Sequence, residues 1–129
     1  ADLHISHPEG YELDAEELER VQSFCPYTGA SITLGRDPAA AAEGAMVVYA
    51  KGWGGAMDLP EHQRRVATLK HWTVDDVRMK NATAFMHCLP VRRNVIVTDS
   101  VLDGPQSRVL PQAANREPVQ AAILLSWLL

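Results

Sequence analysis

Along the chain, stretches with the apolar spacing of β-strands alternate with stretches that have the apolar spacing of helices. Strands are predicted where apolar residues alternate with polar ones or form short runs, over residues 1–6, 31–34, 46–50, 83–87 and 107–110. Helices are predicted from capping residues and helical apolar spacing, over residues 14–24, 37–43, 61–69, 73–80, 98–103 and from Pro118 onward. This order predicts an α/β fold, with a mostly parallel sheet flanked by helices.

The segments between these elements predict loops, and one of them is rich in glycine. Residues 46–50 are apolar throughout, which is typical of a strand buried on both faces. Residues 26–29 and 51–60 lack periodicity and predict loops, the second with three glycines around Trp53. Trp53 could shield a site from water or cover an edge of the core, and the spacing leaves both interpretations open.

Three polar stretches follow predicted strands. His7 and Pro8 follow the first strand, residues 51–55 follow the third, and residues 87–93 close the fourth. Parallel sheets bind ligands beyond the carboxyl ends of their strands. We therefore expect these stretches to gather at one edge of the sheet, with Lys51, Arg92 and Arg116 facing inward.

Composition and charge narrow the classes of function. The 129 residues are 47% hydrophobic and 22% charged, which is typical of one small folded domain rather than a disordered chain. The net charge of −4 argues against nucleic acid as a partner, so an anionic ligand would need a few well-placed cations. No signal peptide and no apolar run of membrane-spanning length occurs, so we expect no membrane partner.

The two cysteines, Cys25 and Cys88, are too few for a secreted disulfide scaffold. We interpret both as reduced thiols of a cytoplasmic protein, with a single bridge as the less favoured alternative. The histidines lack the spacing of a zinc site, and His62 and His71 lie in polar surroundings typical of the surface. We therefore expect no metal, and Cys88 is better explained as a pocket wall than as a covalent nucleophile.

The residues after the fourth strand could carry chemistry. A proline just past a strand, here Pro90, frees backbone carbonyls to accept hydrogen bonds from a ligand NH₂. Arg92 and Arg93 follow and could fork onto carboxylate or phosphate oxygens, although spacing supports solvated arginines at a turn equally well. Arg116 precedes the last predicted helix, where an anion is favoured, but an ion pair with Glu117 is the simpler interpretation.

Three strings in the second half of the chain form a recognisable set. Residues 85–94 read Phe-Met-His-Cys-Leu-Pro-Val-Arg-Arg-Asn, followed by Thr98-Asp99 and by Ala-Asn-Arg at residues 114–116. With these strings the chain resembles the transcarbamylases over most of its length, and the His-Cys-Leu-Pro string is characteristic of their ornithine branch. The match extends back through Asn81, residues 72–73, residues 49–51 with Trp53, and residues 7–11.

Details within this resemblance favour a sub-branch. Ordinary ornithine enzymes carry a Ser-Met-Gly loop where this chain has Lys51, Gly52 and Trp53, a substitution similar to enzymes that use N-acetylornithine or N-succinylornithine. Acetyl-type enzymes have a lysine where this chain has Ile96. The runs at residues 7–13 and 91–94 look closer to the succinyl type, so N-succinylornithine is the favoured substrate and N-acetylornithine the alternative.

The resemblance implies a role for each of several residues. Cys88 and Leu89 would meet carbamoyl phosphate, largely through backbone atoms, and Arg116 would also contact it; Cys88 and Arg116 are the candidate catalytic residues. His7, Lys51 and Arg92 would bind the acylated ornithine. The Leu-Pro bond at residues 89–90 is expected to be cis, as in the family.

The resemblance further implies carbamoyl transfer in arginine biosynthesis, without a metal or organic cofactor, by a homotrimeric cytoplasmic enzyme. Residues 1–129 would form its C-terminal, ornithine-binding domain, incomplete at the N-terminus. The carbamoyl-phosphate domain, with its Ser-Thr-Arg-Thr and His-Pro-Thr-Gln strings, is absent from this sequence, so the chain alone should be inactive. A non-catalytic α/β module that binds a ligand or a partner is the competing hypothesis.

Overall fold

The computed structural model describes residues 1–52 and 59–128. The chain forms two compact units, Ala1–Glu43 and Gly44–Leu129. The predicted loop residues Trp53, Gly54 and Gly55 lie outside the described residues.

The first unit is built on a pair of parallel strands. Strand β1 (Asp2–Ser6) pairs in parallel with β2 (Ser31–Gly35), so that the register places Ser6 beside Gly35. Helices α1 (Ala15–Gln22), α2 (Cys25–Thr28) and α3 (Pro38–Ala42) complete the unit. The predicted caps are confirmed, since Asp14 accepts a hydrogen bond from the backbone of Glu17 and Asp37 from that of Ala39.

The prediction of a loop at residues 26–29 is wrong, because α2 occupies most of it. Proline is compatible with the first turn of a helix, where its missing N–H would have no helical partner in any case. Pro26 lies in this first turn, and Gly29, with φ of +67°, ends the helix in the left-handed conformation.

The second unit contains a second parallel pair. Strand β3 (Val47–Ala50) lies beside β4 (Ala84–His87), and the register ends with Ala50 opposite His87. The helices of this unit are α4 (Leu59–Thr68), α5 (Asp99–Leu102), α6 (Val109–Ala114) and α7 (Arg116–Leu128). The strands and the α4 and α5 helices therefore lie close to their predicted places, and α6 packs against β4.

Strand β4 forms the centre of the core. Phe85, at 0% exposure, is flanked by β3 on one side and by a single parallel bridge to Ser107 on the other. Among the described residues the buried hydrophobic side chains all belong to the second unit, and they are Ala50, Leu69, Val74, Met79, Ala82, Phe85, Ile96, Val97, Val101 and Val109. This core fixes the end of β4, where the candidate site lies.

Two predicted elements of the second unit are wrong. Residues 73–80 form turns after a short 3₁₀ segment at Lys70–Trp72, because Thr73 donates its hydroxyl to the Val95 carbonyl instead of capping a helix. The strand predicted at residues 107–110 is reduced to the bridge at Ser107, and α6 takes over from Val109. In both cases tertiary hydrogen bonds override local propensity.

Two further predictions need correction. The last helix begins at Arg116, two residues before Pro118, so Arg116 is its first residue rather than a residue ahead of it. The strand at residues 46–50 is not buried on both faces, since Val47 and Tyr49 are 49% and 51% exposed while Ala50 is buried. Successive side chains of a strand point to opposite faces, and the described residues cover one face of β3.

None of the helices in the described ranges has both the length and the apolar character needed to cross a membrane.

Candidate ligand-binding site at the strand ends

Lys51 and Cys88 meet at the carboxyl ends of β3 and β4. The last paired residues of the two strands are Ala50 and His87, so Lys51 and Cys88 are the next residues in register. The Lys51 ammonium nitrogen donates a hydrogen bond to the Cys88 sulfur at 3.3 Å. Of the three stretches expected at one edge of a single sheet, those after the third and fourth strands meet and place a cation beside a thiol. His7 and Pro8 instead follow a strand of a separate two-stranded sheet in the first unit.

The groups around Cys88 change the acidity of its thiol. The hydrogen bond from Lys51, and then its positive charge and the Tyr49 hydroxyl, lower the pKa of the Cys88 thiol against the opposing effect of burial. The Tyr49 hydroxyl in turn accepts a hydrogen bond from the Gln112 amide at 3.0 Å. This chain of polar contacts ties helix α6 to the ends of both strands.

His87 organises the first turn after β4. Its backbone N–H donates to the Gln112 side-chain oxygen at 3.1 Å, and its ring nitrogen Nδ1 accepts the Leu89 backbone N–H at 2.9 Å. Leu89 adopts a positive φ of 53°, and the Leu89–Pro90 bond is cis, which confirms the prediction for that bond. Burial, and then the charge of Lys51, lower the pKa of His87, so the neutral ring is favoured.

Arg92 and His62 form a half-buried pair that sequence reasoning missed. The Arg92 guanidinium donates to His62 Nδ1 at 3.1 Å. The expectation that His62 is a surface residue is wrong, because helix α4 brings its half-buried ring against the loop after β4. The polar residues around it in sequence gave no signal of this long-range contact, which spans 30 positions.

The neighbouring Arg93 is engaged within the protein. Its guanidinium forks onto both carboxylate oxygens of Asp103 at 2.6 and 2.8 Å and also reaches Asp99 at 2.8 Å. These hydrogen bonds raise the pKa of Arg93 and lower those of Asp99 and Asp103. The option that Arg93 forks onto a ligand anion stays a prediction, and in this structure its donors hold two carboxylates of the chain.

The remaining predicted residues lie on other elements. Arg116 is exposed at the first residue of α7, directly after Asn115, which closes α6. His7 belongs to the first unit, where it follows β1 and its Nδ1 donates to the Pro8 carbonyl at 2.9 Å. The roles predicted for both residues stay predictions.

These contacts define what the strand ends can do chemically. Lys51 and Arg92 supply positive charge within the two loops, and the turn after His87 presents backbone groups outside the strand ladder. Within the ranges that the structure describes, no three histidine, cysteine or acidic side chains are grouped to hold a metal ion. Cations beside backbone carbonyls are suited to a ligand that combines carboxylate or phosphate with an NH₂ group.

Comparison with known proteins places this chain in a family. The profile of the aspartate/ornithine carbamoyltransferase Asp/Orn-binding domain matches residues 1–127. N-succinylornithine carbamoyltransferase of Bacteroides fragilis is 44% identical over 97% of the chain, and that of Bacteroides thetaiotaomicron is 42% identical over 99%. Ornithine carbamoyltransferase of Wolinella succinogenes is 37% identical over 98% of the chain.

Solved structures agree with these relatives. Ornithine carbamoyltransferase from Pyrococcus furiosus superposes with a TM-score of 0.89 at 35% identity, covering 96% of this chain and 41% of that one. Acetylornithine transcarbamylase complexed with acetylcitrulline gives 0.84 at 34% identity, covering 97% and 39%. The chain spans 36% to 42% of the length of the three curated relatives. The match over nearly its full length, together with the strand-end geometry, shows that the chain belongs to the aspartate/ornithine carbamoyltransferase family.

Proposed function

We propose that the full protein transfers the carbamoyl group of carbamoyl phosphate to the side-chain amine of N-succinylornithine, a step of arginine biosynthesis. The observation that carries this proposal is the position of Lys51, at the end of β3 and 3.3 Å from the Cys88 sulfur. The two N-succinylornithine carbamoyltransferases, at 44% and 42% identity, support the choice of substrate.

Each proposed role follows from charge and position. A blocked α-nitrogen carries no charge, whereas the amino-acid carboxylate and the succinyl carboxylate both need cations. Lys51 and Arg92 are assigned to these carboxylates, with His7 as a further contact to the acylornithine. Charge-assisted hydrogen bonds of this kind are stronger than neutral ones.

The carbamoyl phosphate side uses the turn after β4. Backbone groups of Cys88 and Leu89 are assigned to the carbamoyl NH₂, and Arg116 to carbamoyl phosphate oxygens. An arginine is suited to phosphate because its planar fork donates two parallel hydrogen bonds. The Cys88 thiol, held by Lys51, forms part of the pocket wall and takes no covalent part.

The reaction needs no protein nucleophile and no cofactor. The neutral δ-amine of the acylornithine attacks the carbamoyl carbon and a tetrahedral intermediate forms. The C–O bond to phosphate then breaks, and the departing phosphate takes the proton that the amine loses. Catalysis then depends on positioning the two substrates and on stabilising the developing negative charge. The chain's own residues orient the amine donor and hold the carbamoyl group.

This chain is proposed to be the C-terminal domain of a longer, cytoplasmic enzyme that works as a homotrimer. A carbamoyl-phosphate domain outside residues 1–129 would supply most of the phosphate donors. This assignment agrees with the share of the relatives' length, 36% to 42%, that the chain covers.

N-acetylornithine is the second candidate substrate. Acetylornithine transcarbamylases are among the similar solved structures, and a mutant of one is complexed with carbamyl phosphate and N-succinyl-L-norvaline. Ile96, which is buried at 3% exposure, supports the succinyl type, because the acetyl-type enzymes carry a lysine at this position.

The proposal is tested with the full-length enzyme and carbamoyl phosphate. Ornithine, N-acetylornithine and N-succinylornithine are offered separately, and phosphate release is measured. We expect the highest kcat/KM with N-succinylornithine and no reaction with ornithine. A preference for N-acetylornithine would exchange the two candidates. Ligand binding without phosphate release from carbamoyl phosphate, whichever acceptor is present, would favour a non-catalytic module.

A further inference from the structure

The buried ring of His87 holds the backbone of the turn that follows β4. The residue is only 3% exposed, and its Nδ1 accepts the Leu89 N–H at 2.9 Å. Its own N–H is held by the Gln112 side chain at 3.1 Å. The histidine is therefore fixed at both its backbone and its ring, and the ring spans the intervening residue, Cys88.

This contact determines the orientation of the Cys88–Leu89 peptide. The peptide is trans, so its N–H and C=O point in opposite directions. Because the Leu89 N–H points at the His87 ring, the Cys88 carbonyl must point away from that ring. The carbonyl lies beyond the strand ladder, beside the side chain that Lys51 contacts.

We propose that His87 is a positioning residue, which aims the Cys88 carbonyl at the carbamoyl NH₂ through its hydrogen bond to the Leu89 N–H. This inference rests on the proposed function and deepens it. His87 touches no substrate, and it acts through the peptide that it orients.

The conformation of Leu89 explains why such a support is needed. A positive φ, here 53°, is rarely adopted by a leucine, and such conformations persist where surrounding contacts hold them. The hydrogen bond from the Leu89 N–H to His87 is such a contact, and it belongs to the same turn. Without this hydrogen bond the Cys88–Leu89 peptide can rotate, and the Cys88 carbonyl no longer keeps its orientation.

The state of the ring agrees with this role. Nδ1 accepts a hydrogen bond, so the proton of the neutral ring lies on Nε2, which is buried and has no hydrogen-bond partner among the described residues. Burial and the charge of Lys51 lower the pKa of His87, which keeps Nδ1 unprotonated and able to accept.

The test compares His87→Asn with His87→Leu in the full-length enzyme. The Asn side-chain oxygen occupies the same place along the side chain as Nδ1 and can accept the same N–H, whereas Leu keeps the branching and removes the acceptor. We expect H87N to keep the wild-type KM for carbamoyl phosphate within about twofold and H87L to raise it about tenfold, the size of one lost hydrogen bond. The KM for the acylornithine should change far less in both.

A third variant guards against simple misfolding. His87→Gln is an amide like Asn, but its acceptor lies one methylene further out, so H87Q should resemble H87L rather than H87N. If H87L does not fold, the comparison of H87N with H87Q decides. Equal KM values for carbamoyl phosphate in H87N and H87Q, or a wild-type value in H87L, would overturn the positioning role.

The same variants are titrated with carbamoyl phosphate by calorimetry. Binding is measured without turnover, so the ranking H87N above H87Q and H87L can be established even if the acceptor substrate has been assigned wrongly. Loss of the ranking with an active wild type would reject the role of His87, while an inactive wild type with the ranking intact would reject the proposed reaction.

Discussion

Arg92 and Arg93 are adjacent in sequence, yet their guanidinium groups have different partners. Arg93 is held by Asp99 and Asp103, so its charge is used within the chain. Arg92 contacts the uncharged acceptor nitrogen of His62. Its positive charge therefore stays unneutralised by that contact and remains available to an anionic ligand.

Replacing Arg92 should weaken binding of the acylornithine. In the full-length enzyme, Arg92→Ala should raise the KM for N-succinylornithine more than that for carbamoyl phosphate. A lost charge-assisted hydrogen bond costs about 1.5–3 kcal/mol, which corresponds to roughly a tenfold to hundredfold rise. Arg93→Lys is the matched control, because it keeps the positive charge beside Asp99 and Asp103, and it should leave both KM values near wild type. An unchanged acylornithine KM in Arg92→Ala would count against the assignment.

Replacing Lys51 should make Cys88 less reactive. Lys51 lowers the pKa of the Cys88 thiol, so Lys51→Met should raise that pKa and reduce the thiolate fraction near neutral pH. The rate of alkylation by iodoacetamide, followed against pH in a Cys25→Ser background, should show its inflection at higher pH in the variant. Coinciding pH profiles would show that the 3.3 Å contact does not control the thiol.

At the scale of elements, hydrogen bonds and ion pairs hold the turn between β4 and α5 in place. Val74 brackets it, donating its N–H to the Ile96 carbonyl at 2.8 Å and accepting that of Thr98 at 2.9 Å. Arg93 links the turn to Asp99 and Asp103 on either end of α5. These contacts connect the loop that carries Arg92 to the core of the second unit.

The ion pairs of this turn predict a pH-dependent contribution to stability. Asp99 and Asp103 have pKa values below their ordinary range because they accept hydrogen bonds from Arg93. A carboxylate with a lowered folded-state pKa stabilises the protein above its unfolded pKa, and this contribution is lost as pH falls through the folded value. Arg93→Ala should therefore lower Tm near neutral pH, and the difference from wild type should shrink in acid.

Thermal unfolding measured from neutral to strongly acidic pH checks this expectation. Arg93→Lys serves as the control, because it keeps the charge but loses the planar fork onto Asp103, and its Tm should fall between those of the other two proteins. The side chains of Arg93, Asp99 and Asp103 are all exposed, so the expected change in Tm is modest. A Tm difference that is independent of pH would point to packing instead of charge.

At the scale of the whole molecule, the pieces of the proposed site are spread over separate parts of the chain. Lys51, Cys88 and Arg92 belong to the second unit and His7 to the first. The relatives are longer, since the chain spans 36% to 42% of their length. Under the proposed function, groups outside residues 1–129 would complete the carbamoyl transfer site.

The 129-residue chain by itself should therefore release no phosphate from carbamoyl phosphate in the presence of N-succinylornithine, whereas the full-length enzyme should. Circular dichroism of the chain is the control that it is folded during the assay. Turnover by the folded chain at a rate near that of the full-length enzyme would contradict the proposal that most groups binding the phosphate lie outside residues 1–129.

The sequence by itself determined the α/β class, the positions of β1 to β4 and the approach of the loops that follow β3 and β4. Apolar periodicity and capping residues such as Asp14 and Asp37 act locally, and a parallel sheet brings its strand ends to one edge. The family resemblance, carried by residues 85–94, was likewise available from the sequence, and the profile match over residues 1–127 confirms it.

Only the tertiary structure decided which polar groups are partners. The contact of Arg92 with His62, the fork of Arg93 onto Asp103, and the turn of Leu89 onto His87 all depend on distances between segments or on a backbone angle. Local propensity also failed at residues 73–80 and 107–110, where long-range hydrogen bonds to Val95 and Phe85 outweigh it. The sequence shows which polar groups are present and how they are spaced. Which of them form hydrogen bonds with each other depends on how the segments pack around β4.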